Sequence, residues 1–192
     1  LFDFPNQGKA KILSGPVQVT LDEQVEILSA MMDKTALSRD ATICAASWGG
    51  VIAVAFAAKH RDRVKRLILA SLGTKPNKKM VDTIKQGSRV DLSDRDQMAQ
   101  TLIKSFGETL PERFKQNIVK QFRAMKKESV QAFYEHGLFV ISSKQLSDIV
   151  DLRAIKAKTI LLNGEKDAII DLDDVKFLAS QIPDCELRII KG

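Results

Sequence analysis

ICAASWGG, residues 43–50, joins an apolar run to one serine, the only tryptophan of the chain and two glycines. Its reading decides the fold. Upstream, residues 41–47 (ATICAAS) read as a short buried strand; downstream, GGVIAVAFAAKH reads as a helix rich in small residues. Gly49, Gly50, Ala53 and Ala57 would let that helix lie close against a sheet. Further out, KRLILAS (65–71), TILLNG (159–164) and ELRIIKG (186–192) are further apolar strands, with a helix expected over about 172–181. Before the serine, Thr20-Leu21-Asp22-Glu23 has the form of a capping box, and the helix it opens carries Val25, Leu28 and Met32 on one face. LFDF at residues 1–4 reads as the end of a strand, and Pro5-Asn6-Gln7-Gly8 as a loop.

Strands alternating with helices imply an α/β protein: a mostly parallel sheet with helices on both faces. Between residues 75 and 149 the texture changes to helical patterns, with breaks expected at Gly87, at residues 107–111 and at Gly137. This insert is too long for a crossover and is expected to form a cap. The organisation follows: 1–73 the central part of a core, 74–149 a helical cap or lid, 150–192 the C-terminal part of the core. The chain starts without methionine near the end of a strand and stops directly after another. We expect a fragment that lacks the first strands and the last loop and helix of the domain.

Composition bounds the partners. With 192 residues, 44% of them hydrophobic, the chain is of single-domain size, and it shows no run long enough to span a membrane and no charged-then-apolar leader. A cytoplasmic protein is the expectation. Cys44 and Cys185 are too few for a disulfide framework and lack metal-ligand spacing; Cys44, inside an apolar strand, is expected to be a buried reduced thiol. The net charge of +6 is concentrated in residues 74–130, which hold 13 Lys and Arg against 7 Asp and Glu. Lysine-rich helices are most often solvated surfaces, and the sharper alternative is a docking face for an acidic partner. Nucleic acid is not expected, because the basic residues are not read as interleaved with exposed aromatics or as part of a known binding motif. No metal or organic cofactor is suggested.

Ser47 falls at the carboxyl end of a strand, where ligands gather in a parallel sheet, and a helix follows at once. The pattern Ala45-x-Ser47-x-Gly49 is a variant of the G-x-S-x-G turn that presents a nucleophile. Small side chains are needed two before and two after the serine because those positions pass close together. Such a turn pushes Oγ into the cleft, and the N–H of Trp48 would be one oxyanion donor. A lone small-x-Ser-x-Gly also recurs by chance; the flanking strand and helix are what raise it above that background.

A serine needs a base, and the base an orienting carboxylate. Asp167, three residues past Gly164, lies just beyond the strand after the insert and is the candidate. Glu165 is its rival, while Asp171, Asp173 and Asp174 read as first-turn helix residues. The plain alternative is a solvated acidic loop. Only two histidines exist in residues 1–192: His60, at the far end of the helix from Ser47, reads as a surface residue, and His136 lies in the insert, from which a cap histidine could in principle reach down. In hydrolases of this topology the base comes from a loop after the last strand, which here would begin at Gly192.

Asp3-Phe4-Pro5-x-x-Gly8, AASWGG and DLRAIKAKTILLNGEKD together resemble the α/β-hydrolase superfamily over nearly the whole sequence. The narrower resemblance, carried by LFDFPNQGKA, DEQVEIL, AASWGG, LPERFK and NGEKD, is to the rhamnosyltransferase-associated 3-(3-hydroxyalkanoyloxy)alkanoate synthases of rhamnolipid biosynthesis. It implies Ser47 as nucleophile, Asp167 as triad acid and Trp48 N–H as oxyanion donor, with the histidine and the second donor outside residues 1–192. Ala45 in place of glycine is shared with the narrower branch; Ala10 stands where the superfamily often has serine. The implied chemistry is acyl hydrolysis or transfer from an ester or thioester through an acyl-enzyme. In the narrower branch the donors are 3-hydroxyacyl units on an acidic acyl carrier protein, which the basic insert would suit. Phe106, Phe114, Ile118, Phe122, Phe133, Leu138 and Phe139 would line an acyl tunnel or, as helical spacing alone predicts, form the core of the cap. A catalytically incomplete hydrolase-like binding module is the alternative.

Overall fold

The computed structural model describes residues 3–5, 10, 19–35, 37 and 39–191. Of the strand and loop expected over residues 1–8, positions 1–2 and 6–8 lie outside the described residues, and residues 3–5 belong to no strand. The chain divides into two compact units, one of Val19–Lys75 with Lys144–Gly192 and one of Leu1–Gln18 with Pro76–Ser143.

The first unit is built on a four-stranded parallel sheet: β1 (Ala41–Ala46), β2 (Val64–Ala70), β3 (Lys158–Gly164) and β4 (Cys185–Ile190), in that spatial order. All four coincide with the apolar runs of the sequence. The register sets Ala46 beside Ala70 and Ala70 beside Leu162, so β1 and β2 end level, while β3 runs two residues further, to Gly164 beside Ile190 of β4. Helix α1 (Leu21–Lys34) precedes the sheet, α2 (Trp48–Lys59) joins β1 to β2, and α8 (Leu172–Gln181) joins β3 to β4. The expected capping box opens α1: the Glu23 N–H donates to Thr20 Oγ1 at 3.3 Å and the Thr20 N–H donates to Glu23 Oε2 at 2.8 Å. Right-handed crossovers along a sheet ordered β1 to β4 bring α2 and α8 to the same face. Leu67, Leu69, Thr159, Leu161 and Asn163 are buried there. The alternate residues of β1, including Cys44 and Ala46, are exposed. Cys44 is therefore not the buried thiol that its apolar surroundings suggest, because strand alternation points it away from the face that α2 covers.

The chain leaves this unit after Lys75 and re-enters at Lys144, before the short helix α7 (Leu146–Ile149). The Leu146 N–H donates to the Thr74 carbonyl at 2.8 Å, so the two crossing points are tied together.

The second unit is helical: α3 (Lys78–Gly87), α4 (Arg95–Phe106), α5 (Glu112–Ala124) and α6 (Lys127–Ser142). Met98, Ala99, Phe122, Val130 and Tyr134 form its core, with Ile118 packed against them. Phe122 and Ile118 thus take the core role that their spacing predicts, whereas Phe114, Phe133 and Leu138 are exposed. Gly137 is not a break but an interior residue of α6. A side chain there would press on Ile84 of α3, so glycine serves the contact between two helices rather than an end.

Candidate active site

Ser47 sits between β1 and α2 as the N-cap of α2, with φ 50° and ψ −130°. A positive φ on a non-glycine residue costs on the order of 1–3 kcal/mol and persists only where neighbours hold it. Two backbone bonds do so: the Ser47 N–H donates to the Ala70 carbonyl at 3.0 Å, and the Gly50 N–H donates to the Ser47 carbonyl at 2.8 Å. The side chain makes no capping hydrogen bond and the residue is exposed, so the hydroxyl is not spent on the helix it precedes. A Cβ added at Gly49 would lie 3.9 Å from the Ala45 Cβ. The two flanking positions do pass close, and alanine at 45 fits without overlap.

Trp48 is the first residue of α2. Its indole Nε1–H donates to Gln24 Oε1 at 2.8 Å, and Gln24 Nε2–H donates in turn to the Val19 carbonyl at 2.8 Å. Sequence reasoning passes over Gln24. The signal is nonetheless present: it precedes Val25 and stands four before Leu28, so it falls on the buried stripe of α1.

Asp167 follows β3 in a tight loop. Its N–H donates to the Gly164 carbonyl at 3.2 Å, and its Oδ1 accepts from the Ile169 and Ile170 N–H groups at 2.9 and 3.1 Å. The carboxylate is half-buried and fixed through Oδ1. Glu165 is exposed, and only its backbone is held, by an N–H···O bond of 2.9 Å to Ile190. Of the two rival carboxylates, Asp167 is the positioned one. Asp171 is the N-cap of α8, and Asp173 and Asp174 are in its first turn, as expected. Asp174 does more: it accepts from the Thr74 N–H at 2.6 Å, the Thr74 hydroxyl at 2.5 Å and the Lys75 N–H at 3.3 Å, tying the loop after β2 to α8. Gly73, having no Cβ, is what admits this carboxylate.

Ser47 and Asp167 both lie past the carboxyl ends of their strands, β1 and β3, with β2 between. Two strand spacings, the lateral separation of β1 from β3, are about 10 Å. A serine–histidine–carboxylate relay needs an imidazole hydrogen-bonded on both sides, which spans about 8 Å. His60 is not placed to supply it. It is the C-cap of α2, one helix of 12 residues from Ser47, or about 18 Å. There it stacks on Phe56 with ring centroids 4.6 Å apart, and burial holds its pKa below the ordinary imidazole value. His60 is accordingly a half-buried packing residue rather than a surface one. His136 is on α6 in the helical unit, where burial also lowers its pKa. Among the described residues no group of three or more His, Cys, Asp or Glu is arranged to hold a metal, and no helix is long and apolar enough to cross a membrane.

The sequence matches the alpha/beta hydrolase fold family over residues 1–192. Among solved structures, MGS-M2, an alpha/beta hydrolase from a Medee basin deep-sea metagenome, superposes with a TM-score of 0.78 at 21% identity, over 69% of that protein and 98% of this one. The enol-lactonase of Burkholderia xenovorans LB400 gives a TM-score of 0.73 at 21% identity, over 69% of its length and 96% of the length here. The thermophilic esterase of Thermogutta terrifontis gives 0.70 at 22%, over 67% and 96% in the same order. A curated relative, the cis-3-alkyl-4-alkyloxetan-2-one decarboxylase of Shewanella oneidensis, is 32% identical over 54 residues, which are 17% of that protein and 28% of this one.

Proposed function

The chain belongs to the alpha/beta hydrolase fold family, and from that premise we propose that Ser47 is the nucleophile of an acyl-transfer site in which Asp167 orients the base. The observation that carries this reading is the strained backbone of Ser47 at the carboxyl edge of a parallel sheet, with its hydroxyl left out of the helix cap. Strain of this kind is retained where it positions a reacting group. Ser47 Oγ attacks an acyl carbonyl carbon while its proton passes to the base, and the Trp48 N–H receives the developing oxyanion. Collapse expels an alkoxide or thiolate, which takes the proton back and leaves an ester on Ser47. Water then releases an acid, or a hydroxyl compound takes the acyl group. The base is expected from the stretch that follows β4, whose end is bonded to the loop of Asp167 through Glu165 N–H and the Ile190 carbonyl.

The finer reading is transfer of 3-hydroxyacyl groups from an acidic acyl carrier protein, with residues 74–149 serving as the cap. Its support is the resemblance of AASWGG, LPERFK and NGEKD together with the excess of Lys and Arg in residues 74–130. Charge of one sign steers encounter with a partner of the other. Ester hydrolysis, the chemistry named for the esterase and lactonase relatives, is the coarser form of the same reaction.

A fluorophosphonate probe tests the proposal on the full natural polypeptide. The expected result is a single adduct mapping to Ser47, absent from Ser47→Ala. Release of hydroxyacyl dimers from a 3-hydroxyacyl carrier thioester supports transfer; activity on small p-nitrophenyl esters with release of free acid only supports hydrolysis. A folded polypeptide that neither labels nor turns over these substrates is a binding module.

A further inference from the structure

We infer that Gln24 is a positioning residue for the oxyanion donor: its side-chain amide holds the Trp48 indole and thereby aims the Trp48 backbone N–H. The inference rests on the roles proposed above for Ser47 and Trp48.

Gln24 is 5% exposed on a helix face otherwise made of Val25, Leu28 and Met32. A primary amide on such a face is costly unless both of its ends are hydrogen-bonded. Both are, and the partners lie in different parts of the fold. Oε1 accepts from Trp48 Nε1 at the start of α2, and Nε2 donates to the Val19 carbonyl just before α1. Val19 adjoins a fixed point, since the capping box holds Thr20 and the Gln24 N–H donates to the Thr20 carbonyl at 3.0 Å. The glutamine therefore connects a rigid helix start to the residue that follows the strained serine.

Ser47 is held on its own amide by Ala70 and on its carbonyl by Gly50. The Ser47 carbonyl and the Trp48 N–H share one planar peptide unit, so the Gly50 bond restrains the donor from the carbonyl side and the indole contact adds a second restraint through the side chain. An aromatic group restrained at its far end limits rotation about χ1, and with it the freedom of its Cα. A donor displaced by about 1 Å from the developing oxyanion loses on the order of a hundredfold in rate.

Trp48 is the only tryptophan of residues 1–192, and the emission lost in Trp48→Phe identifies the part of the signal that reports this contact. The experiment compares wild type, Gln24→Leu, Gln24→Glu and Trp48→Phe in the full natural polypeptide. Each is read by thermal unfolding and the rate constants of Ser47 labelling by an ethyl fluorophosphonate, and the wild type and the Gln24 variants also by Trp48 emission, taken as the difference from Trp48→Phe. We expect Gln24→Leu to shift the emission and to lower the limiting labelling rate about ten- to a hundredfold, with half-saturation by the probe unchanged. Gln24→Glu, which keeps the acceptor, falls between Gln24→Leu and wild type and serves if the leucine variant does not fold. Trp48→Phe shows the same loss as Gln24→Leu, and combining the two adds little. Wild-type labelling in a folded Gln24 variant overturns the inference alone. A wild-type protein that is not labelled at Ser47 overturns the reading of the site and this inference with it.

Discussion

Ser47 donates its backbone N–H to the carbonyl of Ala70, so the turn that strains the serine is stitched to the neighbouring strand as well as, through Gly50, to its own helix. With φ at 50° and ψ at −130°, the backbone favours glycine over any residue with a Cβ. Both Ser47→Gly and Ser47→Ala should lose all fluorophosphonate labelling. In urea unfolding, Ser47→Gly should be the more stable of the two by about 1 kcal/mol. Equal stability would show that the turn relaxes in solution.

Gly73 and Asp174 make a second test. A Cβ at 73 would overlap Asp174 Oδ2, the oxygen that accepts from the Thr74 and Lys75 amides. Gly73→Ala is expected to lose about 1–3 kcal/mol, and Asp174→Ala a similar amount by leaving the buried Thr74 donors unpaired. The double variant should cost less than the sum of the two, measured by the denaturation midpoint.

The histidines set a pH dependence with a definite sign. Burial, the main cause, lowers the pKa of His60 in the folded protein; Glu26 opposes the shift, while Arg63 and Lys59 add to it. His136 is lowered by burial as well. Above the ordinary value of about 6.5 both rings are neutral in either state, so neither affects stability there. Below it the unfolded state takes up protons that the folded state refuses, and stability falls. Unfolding curves at pH 7.5 and 5.5 should show this decline. His60→Gln should flatten part of it and His136→Gln a further part.

Thiol reactivity should separate the two cysteines. Cys44 is exposed, while Cys185 is half-buried and its pKa is pushed up to about 11, first by burial and then by Asp184. At pH 8 a disulfide reagent should modify Cys44 first and Cys185 slower by roughly a hundredfold or more. Cys44→Ser should leave only the slow phase. Two equally fast thiols would contradict the burial of Cys185.

Much of this fold is legible in the sequence because the strands are apolar runs and the turns fall where small residues cluster. ATICAAS, KRLILAS and TILLNG name their strands directly, and 172–181 names α8. Ser47 and Asp167 are visible for the same reason: each follows a strand in a sheet that is parallel throughout. Cys44 misleads because an apolar run reads alike whether one face is covered or two. Gly137 misleads because glycine marks close helix contact as readily as a helix end. Gln24 is hidden by its polarity, since an amphipathic reading assigns a glutamine to solvent until its two partners, distant in sequence or on the main chain, are known.

The hydrogen bond from Leu146 to Thr74 closes the long excursion between β2 and β3 at its base. Alpha-carbons joined across such a bond are about 5–6 Å apart, a distance that a linker of two or three residues can bridge. Loop-closure entropy grows only slowly with length, so the sheet is nearly indifferent to how much polypeptide is threaded through that gap. Residues 76–143 therefore behave as a cassette. Shortening or exchanging them is expected to leave the strand register of β2 and β3 in place, because the closure at Thr74 and Leu146 does not depend on their length.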